Sequence, residues 1–171
     1  MRYLTYLLIS KTQYNIHSPY LFKLYCEIIN STIANKKLGI THPRRDDKIT
    51  YKLANTFQPK NIYISSNSNT YTHSIINNAV YKIDTIATTT STLPPTIDMA
   101  IITSIDEWNT IKNKIHDNSV VIWQNQHRNK QIEQEYEMLK KDSIVKVTLD
   151  MYSIAIVLFL PRLHKENYIL R

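Results

Sequence analysis

The sequence is poor in glycine: Gly39 is the single glycine among 171 residues, where average usage near 7% would supply about a dozen. This scarcity excludes the Walker phosphate loop, the G-x-G-x-x-G nucleotide turn and the nucleophile elbow of hydrolases. Each of those motifs needs glycine where the backbone approaches a ligand or adopts a positive φ. Any ligand site in this chain must therefore be built with almost no help from glycine.

Cysteine and long apolar runs are also scarce. Cys26 is the single cysteine, which excludes an intrachain disulfide and a cysteine zinc site, and we interpret it as a small core residue. No run approaches the roughly 18–20 apolar residues of a membrane span, so no membrane partner is expected. The apolar start, residues 3–9, lacks a small-x-small cleavage site. It predicts a short helix rather than a signal peptide, and hence a cytoplasmic protein.

Charge is moderately positive, with 21 Lys+Arg against 14 Asp+Glu and a net charge of +7. The 43% of hydrophobic residues and 20% of charged residues are typical of one globular domain over 1–171. A basic connector at 36–45, with Lys36, Lys37, Arg44 and Arg45, is a candidate phosphate-contact loop for nucleic acid. Solvated connectors have the same composition, so both interpretations stay open.

Hydrophobic periodicity divides the chain into a helical extension (1–57) and an α/β core (58–171). Helical spacing dominates the first part, where Ser18 before Pro19 indicates a helix start. The second part alternates strands and helices. Strands are predicted over 62–64, 82–87, 96–103, 119–124, 144–149 and 154–160, and helices over 69–80, 105–116 and 128–141. No helix fits between the last two strands, so they should pair antiparallel in an otherwise mostly parallel sheet.

Several segments are similar to motifs of one known family. The segment YNIHSPYLF (14–22) resembles its HGIHSPFVF entry segment. VIWQNQH (121–127), VTLDMY (147–152) and IVLF (156–159) are similar to its IVVDDIHWS, VTIDLF and GIVFF, and the tail KENYILR resembles its KEHFxIR. On these motifs the chain resembles a class I S-adenosylmethionine-dependent methyltransferase-like family common in Bacteroidetes. The resemblance implies a Rossmann-like fold and S-adenosylmethionine as cofactor.

The resemblance also locates a cofactor turn after the first core strand. The family's ELGTSLG matches residues 63–69, so Ser65, Ser66, Asn67 and Asn69 are the candidate cofactor-binding residues. Both glycines of the motif are absent, although Asn tolerates left-handed backbone better than most residues. The alternative is a polar strand-to-helix turn with capping side chains, and cofactor binding is expected to be weak or absent.

The acidic residues of the family are missing from the other strand ends. Ala87 stands where the acid that binds the cofactor ribose is expected, and only Asp84 or Asp98 lies near enough in sequence to replace it. The family's DDIH is replaced by QNQH (124–127), which leaves His127 and removes the anionic oxygens that a hard metal ion needs. No metal is therefore expected.

Two histidines remain as weak catalytic candidates, His127 as a general base and His17 as a cleft residue of the entry segment. For each, a structural role is the alternative.

The stretch 88–95 is too short for the crossover unit expected there. The strand number should therefore be reduced, and the 82–87 strand should lie at a sheet edge. We interpret the chain as a truncated, degenerate and inactive methyltransferase-family protein that acts as a binding or structural module, with a homodimer as one arrangement. The alternatives are an active methyltransferase with an atypical cofactor site and a basic nucleic-acid-binding protein.

Overall fold

A computed structural model describes residues 1–33 and 35–171. Its centre is one seven-stranded sheet with the order β2-β1-β3-β4-β6-β5-β7. The strands are β1 (Asn61–Ile64), β2 (Thr85–Ala87), β3 (Ile97–Ile102), β4 (Ile115–Gln124), β5 (Val147–Asp150), β6 (Ile154–Leu158) and β7 (Glu166–Ile169). This α/β architecture confirms the predicted fold class.

Helices cover both faces of the sheet. They are α1 (Tyr3–Ile9), α2 (Pro19–Lys23), which continues as a wider π-helical segment over Leu24–Ile29, α3 (Arg45–Phe57), α4 (Thr72–Ala79), α5 (Ile105–Ile111) and α6 (Lys130–Lys141). Polar N-caps start three of them: the side chains of Ser18, Ser104 and Asn129 accept hydrogen bonds from backbone N–H groups of the first turn. Within the described residues, no helix is both long and apolar enough to cross a membrane.

Strand pairing confirms the predicted topology. β1 pairs parallel with β2 and with β3, and β3 pairs parallel with β4. β6 runs antiparallel to β5, as the missing helix between these two strands predicted, and it also runs antiparallel to β4. β2 lies at one edge, also as predicted, because the stretch that follows holds only the short 3-10 turn Thr90–Thr92 before β3.

The opposite edge holds a strand that was not predicted, so the sheet has seven strands where the sequence predicted six, and the expected reduction in strand number is corrected to this extent. β7 pairs parallel with β5, with Leu149 opposite Tyr168. The backbone of Lys11 then bridges to Leu170, so the segment after α1 covers the end of this strand. The predicted antiparallel pair is therefore present, but β7 lies outside it.

The core consists of two apolar layers, one on each face of the sheet. The first contains Leu21, Ile49, Leu53 and Ile75 from α2, α3 and α4, so helices of the first 57 residues form part of the main core. The second contains Trp108 of α5 and Tyr136 of α6. Every residue of β6 is buried, which agrees with its uninterrupted apolar sequence.

Several predicted boundaries differ from the structure by two residues or more, and two of them illustrate the reason. The helix predicted over 105–116 ends at Ile111, and β4 already begins at Ile115. Residues 116–119 form an irregularity in that strand, where the His116 N–H donates to Ser119 Oγ at 2.9 Å and Ser119 Oγ donates to the Ile97 carbonyl at 2.6 Å. The strand predicted over 82–87 is limited to Thr85–Ala87. The N–H groups of Asp84 and Thr85 both donate to the Lys60 carbonyl, and the pairing with β1 begins only at Thr85.

Candidate functional site

The carboxyl ends of the parallel strands bring the predicted site segments to one edge of the sheet. Ile64 pairs with Ile101, Ile102 pairs with Trp123, and Gln124 pairs with Ile154. The turn 65–69, Thr103, residues 124–127 and the loop 150–153 therefore lie along the same edge. Ligands of open α/β sheets bind at such an edge, so this is the candidate site.

The turn at 65–69 is closed by its own hydrogen bonds. Ser65 is only 1% exposed, and its Oγ lies 3.2 Å from Thr103 Oγ1 while accepting the Asn67 N–H at 3.1 Å. The Ser68 N–H donates to the Ser65 carbonyl at 3.0 Å. None of residues 65–69 has a positive φ. The turn closes without the left-handed backbone that glycines would permit, and two of its N–H groups are already bonded.

Asn69 and Ser66 differ in their surroundings, since the Asn69 side chain has hydrogen-bond partners and Ser66 faces solvent. The Asn69 side chain accepts the Tyr71 N–H at 3.1 Å, which helps to start α4, and donates to Asp47 Oδ1 of α3 at 3.1 Å. Ser66 is exposed. Of the candidate cofactor residues, Ser65 and Asn69 thus have structural partners, which fits the capping interpretation of the turn.

The end of β2 offers no carboxylate. Ala87 is 0% exposed and packs in the apolar layer with Tyr63 and Ala100. Asp84 precedes the strand and is exposed. Asp98 accepts hydrogen bonds from the N–H groups of Lys60 and Asn61, at the amino end of β1. Neither aspartate can therefore replace the missing ribose acid.

Asp98 has a structural role at the opposite edge. Its Oδ1 lies 3.0 Å from His116 Nε2, across the irregular start of β4. Burial by itself would raise the pKa of Asp98, but hydrogen bonds from Asn61 N, the His116 ring and Lys60 N outweigh it and lower the pKa. The charged form of this side chain is thus favoured in the folded protein.

Glu107 is a carboxylate at the candidate site that the sequence analysis missed. Its Oε2 accepts the Thr103 N–H at 2.8 Å and Thr103 Oγ1 at 3.2 Å, and Tyr63 OH donates to Oε1 at 3.4 Å. Burial and this carboxylate raise the pKa of the Tyr63 hydroxyl to about 12. The spacing Ser104-x-x-Glu107, a capping-box pattern, was the available signal.

His127 is held between two carboxylates. Its Nε2 lies 2.7 Å from Asp150 Oδ2, and its Nδ1 lies 3.0 Å from Glu133 Oε1. The Tyr152 ring stacks on the imidazole at a centroid distance of 5.5 Å. Both ring nitrogens of His127 therefore have carboxylate partners, and neither is left free to accept a proton from a substrate in this geometry.

Asp150 is the centre of this cluster. The carboxylate also accepts the Gln126 Nε2–H and the Tyr152 N–H, each at 2.9 Å. Burial, and next the charge of Asp150, raise the pKa of the Tyr6 hydroxyl. Two neighbours, Asn125 and Tyr152, have left-handed backbone with φ of 61° and 75°, which is rare for a bulky residue such as Tyr. A well-connected network holds these two strained loops together.

His17 lies elsewhere. It is exposed and lines two shallow cavities of about 340 and 270 Å³ together with Glu166 of the edge strand β7. His127 lines a different, larger cavity of about 750 Å³. The structure therefore places the two candidate histidines in separate surroundings.

Two features of the site bear on S-adenosylmethionine: the Ala87 side chain at the end of β2 offers no hydrogen-bond acceptor, and the turn at 65–69 is closed by its own hydrogen bonds. Five cavities of about 260 to 750 Å³ open elsewhere on the described part of the chain, and residues 65–69, Ala87 and Thr103 line none of these five. Over residues 1–33 and 35–171, no group of three His, Cys, Asp or Glu side chains is arranged to hold a metal ion. The site thus lacks both the ribose acceptor and an open turn.

Comparison with solved structures identifies the fold. An O-methyltransferase from Bacillus cereus in complex with SAH shares 11% identity at a TM-score of 0.53, with 91% of this chain and 95% of that chain covered. The SAH-bound Podospora anserina methyltransferase PaMTH1 shares 10% (TM-score 0.52; 91% and 92% covered). TomG from Streptomyces achromogenes, an O-methyltransferase in complex with SAM, shares 13% identity at a TM-score of 0.51, with 92% of this chain and 94% of that chain covered. The fold is that of the class I methyltransferases.

Sequence comparisons add nothing to this assignment. No protein-family model matches the chain, and no curated protein matches it.

Proposed function

We propose that this chain is a degenerate methyltransferase-fold protein that does not transfer methyl groups and acts as a binding or structural module. The observation that carries the proposal is Ala87, which occupies the strand end where the ribose acid is expected and is wholly buried among apolar neighbours. A methyl side chain accepts no hydrogen bond. Each unreplaced contact of this kind costs a ligand about 1–3 kcal/mol.

The turn at 65–69 supports the same proposal. Binding the methionine part of the cofactor requires free backbone N–H groups and close approach of the chain. Here the Asn67 and Ser68 N–H groups donate within the turn, and Ser65 is fixed against Thr103. Opening the turn would break these bonds before any cofactor contact formed.

One observation favours the alternative of an active enzyme with an atypical site. Glu107 brings a carboxylate to the ends of β1 and β3, where it could accept hydrogen bonds from a ligand. Its two oxygens already accept from Thr103 and Tyr63, so we rank this candidate second.

The test is titration calorimetry with S-adenosylmethionine and S-adenosylhomocysteine at concentrations up to about 1 mM. We expect no heat of binding, with the Bacillus cereus O-methyltransferase as the positive control. A dissociation constant near or below about 10 µM, equivalent to roughly −7 kcal/mol, would contradict the proposal. In that case the variant Glu107→Gln would show whether Glu107 replaces the missing acid.

A further inference from the structure

A groove lies between the C-terminal end of α1 and the outer face of α6. It has a volume of about 750 Å³, within the range of small-molecule sites. Ile9, Met138 and Ile169 form apolar parts of its lining. Ile9 is 47% and Met138 57% exposed, so both present apolar surface to an incoming ligand.

The acidic side chains that line the groove are already paired. Glu133 and Asp150 both contact His127, and Glu137 pairs with Lys140 at 2.5 Å. These pairs compensate the negative charge of the groove from within the protein. An organic cation would have to break one of them to bind.

Two lysines of the groove have no ion-pair partner among the described residues. Lys130 and Lys141 line it, and neither has an ion pair or a side-chain hydrogen bond with any residue in the part of the chain that the structure describes. They are the first and last residues of α6, 11 residues apart, which places them on nearly the same side of the helix. The uncompensated charge along the groove is thus positive.

We infer that this groove binds a single-chain amphipathic carboxylate of the fatty-acid type. An alkyl chain would cover Ile9, Met138 and Ile169, and the carboxylate would pair with a free lysine at one end of α6. The groove lies outside the 65–69 turn. The inference therefore goes beyond the proposed function and holds whether or not S-adenosylmethionine binds.

The probe is dodecanoate, titrated below its micelle concentration and followed by the methyl NMR signal of Met138. We expect saturable binding with a dissociation constant below about 100 µM, a shift of the Met138 signal, and binding at least about tenfold weaker for dodecanol and for dodecyltrimethylammonium. Equal binding of the three amphiphiles, or no binding of dodecanoate, would overturn the inference.

Two variants test the location. Met138→Glu and the double variant Lys130→Glu/Lys141→Glu should each weaken dodecanoate binding at least about tenfold. The matched control Lys36→Glu/Lys37→Glu makes the same charge change on the exposed basic connector and should leave binding unchanged. If the control weakens binding as much as the groove variant does, general electrostatic attraction explains the result and the site is refuted. Far-UV circular dichroism checks that each variant is folded.

Discussion

Replacing Asp150 with Asn tests the network around His127. Asp150 is only 4% exposed and accepts hydrogen bonds from His127 Nε2, Gln126 Nε2 and the Tyr152 N–H. An Asn side chain has the same shape but carries no charge. It also presents an NH₂ group where one carboxylate oxygen accepted. An NH₂ group that faces Gln126 and the Tyr152 N–H leaves both donors without an acceptor, and one that faces His127 Nε2 replaces a contact with a charged carboxylate by a contact with a neutral amide.

The cost follows from the burial of this site. A hydrogen bond to a charged group contributes about 1.5–3 kcal/mol, and a buried donor left without a partner costs about 1–3 kcal/mol. We expect Asp150→Asn to lower the free energy of unfolding by about 3 kcal/mol. For a chain of this size, that corresponds to a fall in Tm of about 6–12 °C.

Glu133→Gln is the matched control. It makes the same change on the other side of the His127 ring, where the carboxylate is partly exposed and holds the ring through one contact at 3.0 Å. We expect a loss of less than about 1 kcal/mol. Urea denaturation followed by fluorescence measures both variants. Equal losses, or a loss below about 1 kcal/mol for Asp150→Asn, would refute the view that Asp150 organises this edge.

Three further predictions concern stability. Val157→Asp puts an unpaired charge into the fully buried strand β6 and should prevent folding, and a melting temperature within about two degrees of the parent would show that β6 is not central. Gly39→Ala should cost about 1–2 kcal/mol, because φ is +68° and the new Cβ would collide with the Asn78 amide, and Asn78→Ala should recover part of the loss in a double-mutant cycle. Because hydrogen bonds lower the pKa of Asp98, its stabilisation is present above about pH 4 and is lost as the pH falls through the folded-state pKa. The stability difference between the parent and Asp98→Asn should therefore shrink between about pH 4.5 and 2.5, and a constant difference would contradict this cause.

The order and type of the elements could be predicted because hydrophobic periodicity reports which faces are buried. The antiparallel pairing of β5 and β6 followed from chain length alone, since three residues separate them. β7 could not be predicted in the same way. Its four residues, Glu166–Ile169, have one buried side chain, and they form a strand only because β5 offers an unpaired edge.

The missing groups of the site were easier to predict than the contacts that replaced them. The Ala87 side chain cannot accept a hydrogen bond in any fold, so the residue type alone was enough to predict that the ribose acceptor is missing. The contact of His127 with Asp150 joins residues 23 positions apart, and no local pattern predicts such a pair. Sequence reasoning therefore left His127 as a candidate base, whereas the geometry engages both of its ring nitrogens.

The most direct test of the central claim is an NMR titration of the ¹⁵N-labelled protein with S-adenosylmethionine up to about 5 mM, which detects even very weak binding. The backbone amides of residues 65–69, Ala87 and Thr103 surround the expected cofactor position, and the amides of the exposed residues Lys36 and Lys37 serve as an internal reference. A closed turn and a missing ribose acid predict no saturable shift at these amides. Saturable shifts at 65–69 and Ala87, absent from the reference residues, would contradict the claim that this edge no longer holds the cofactor.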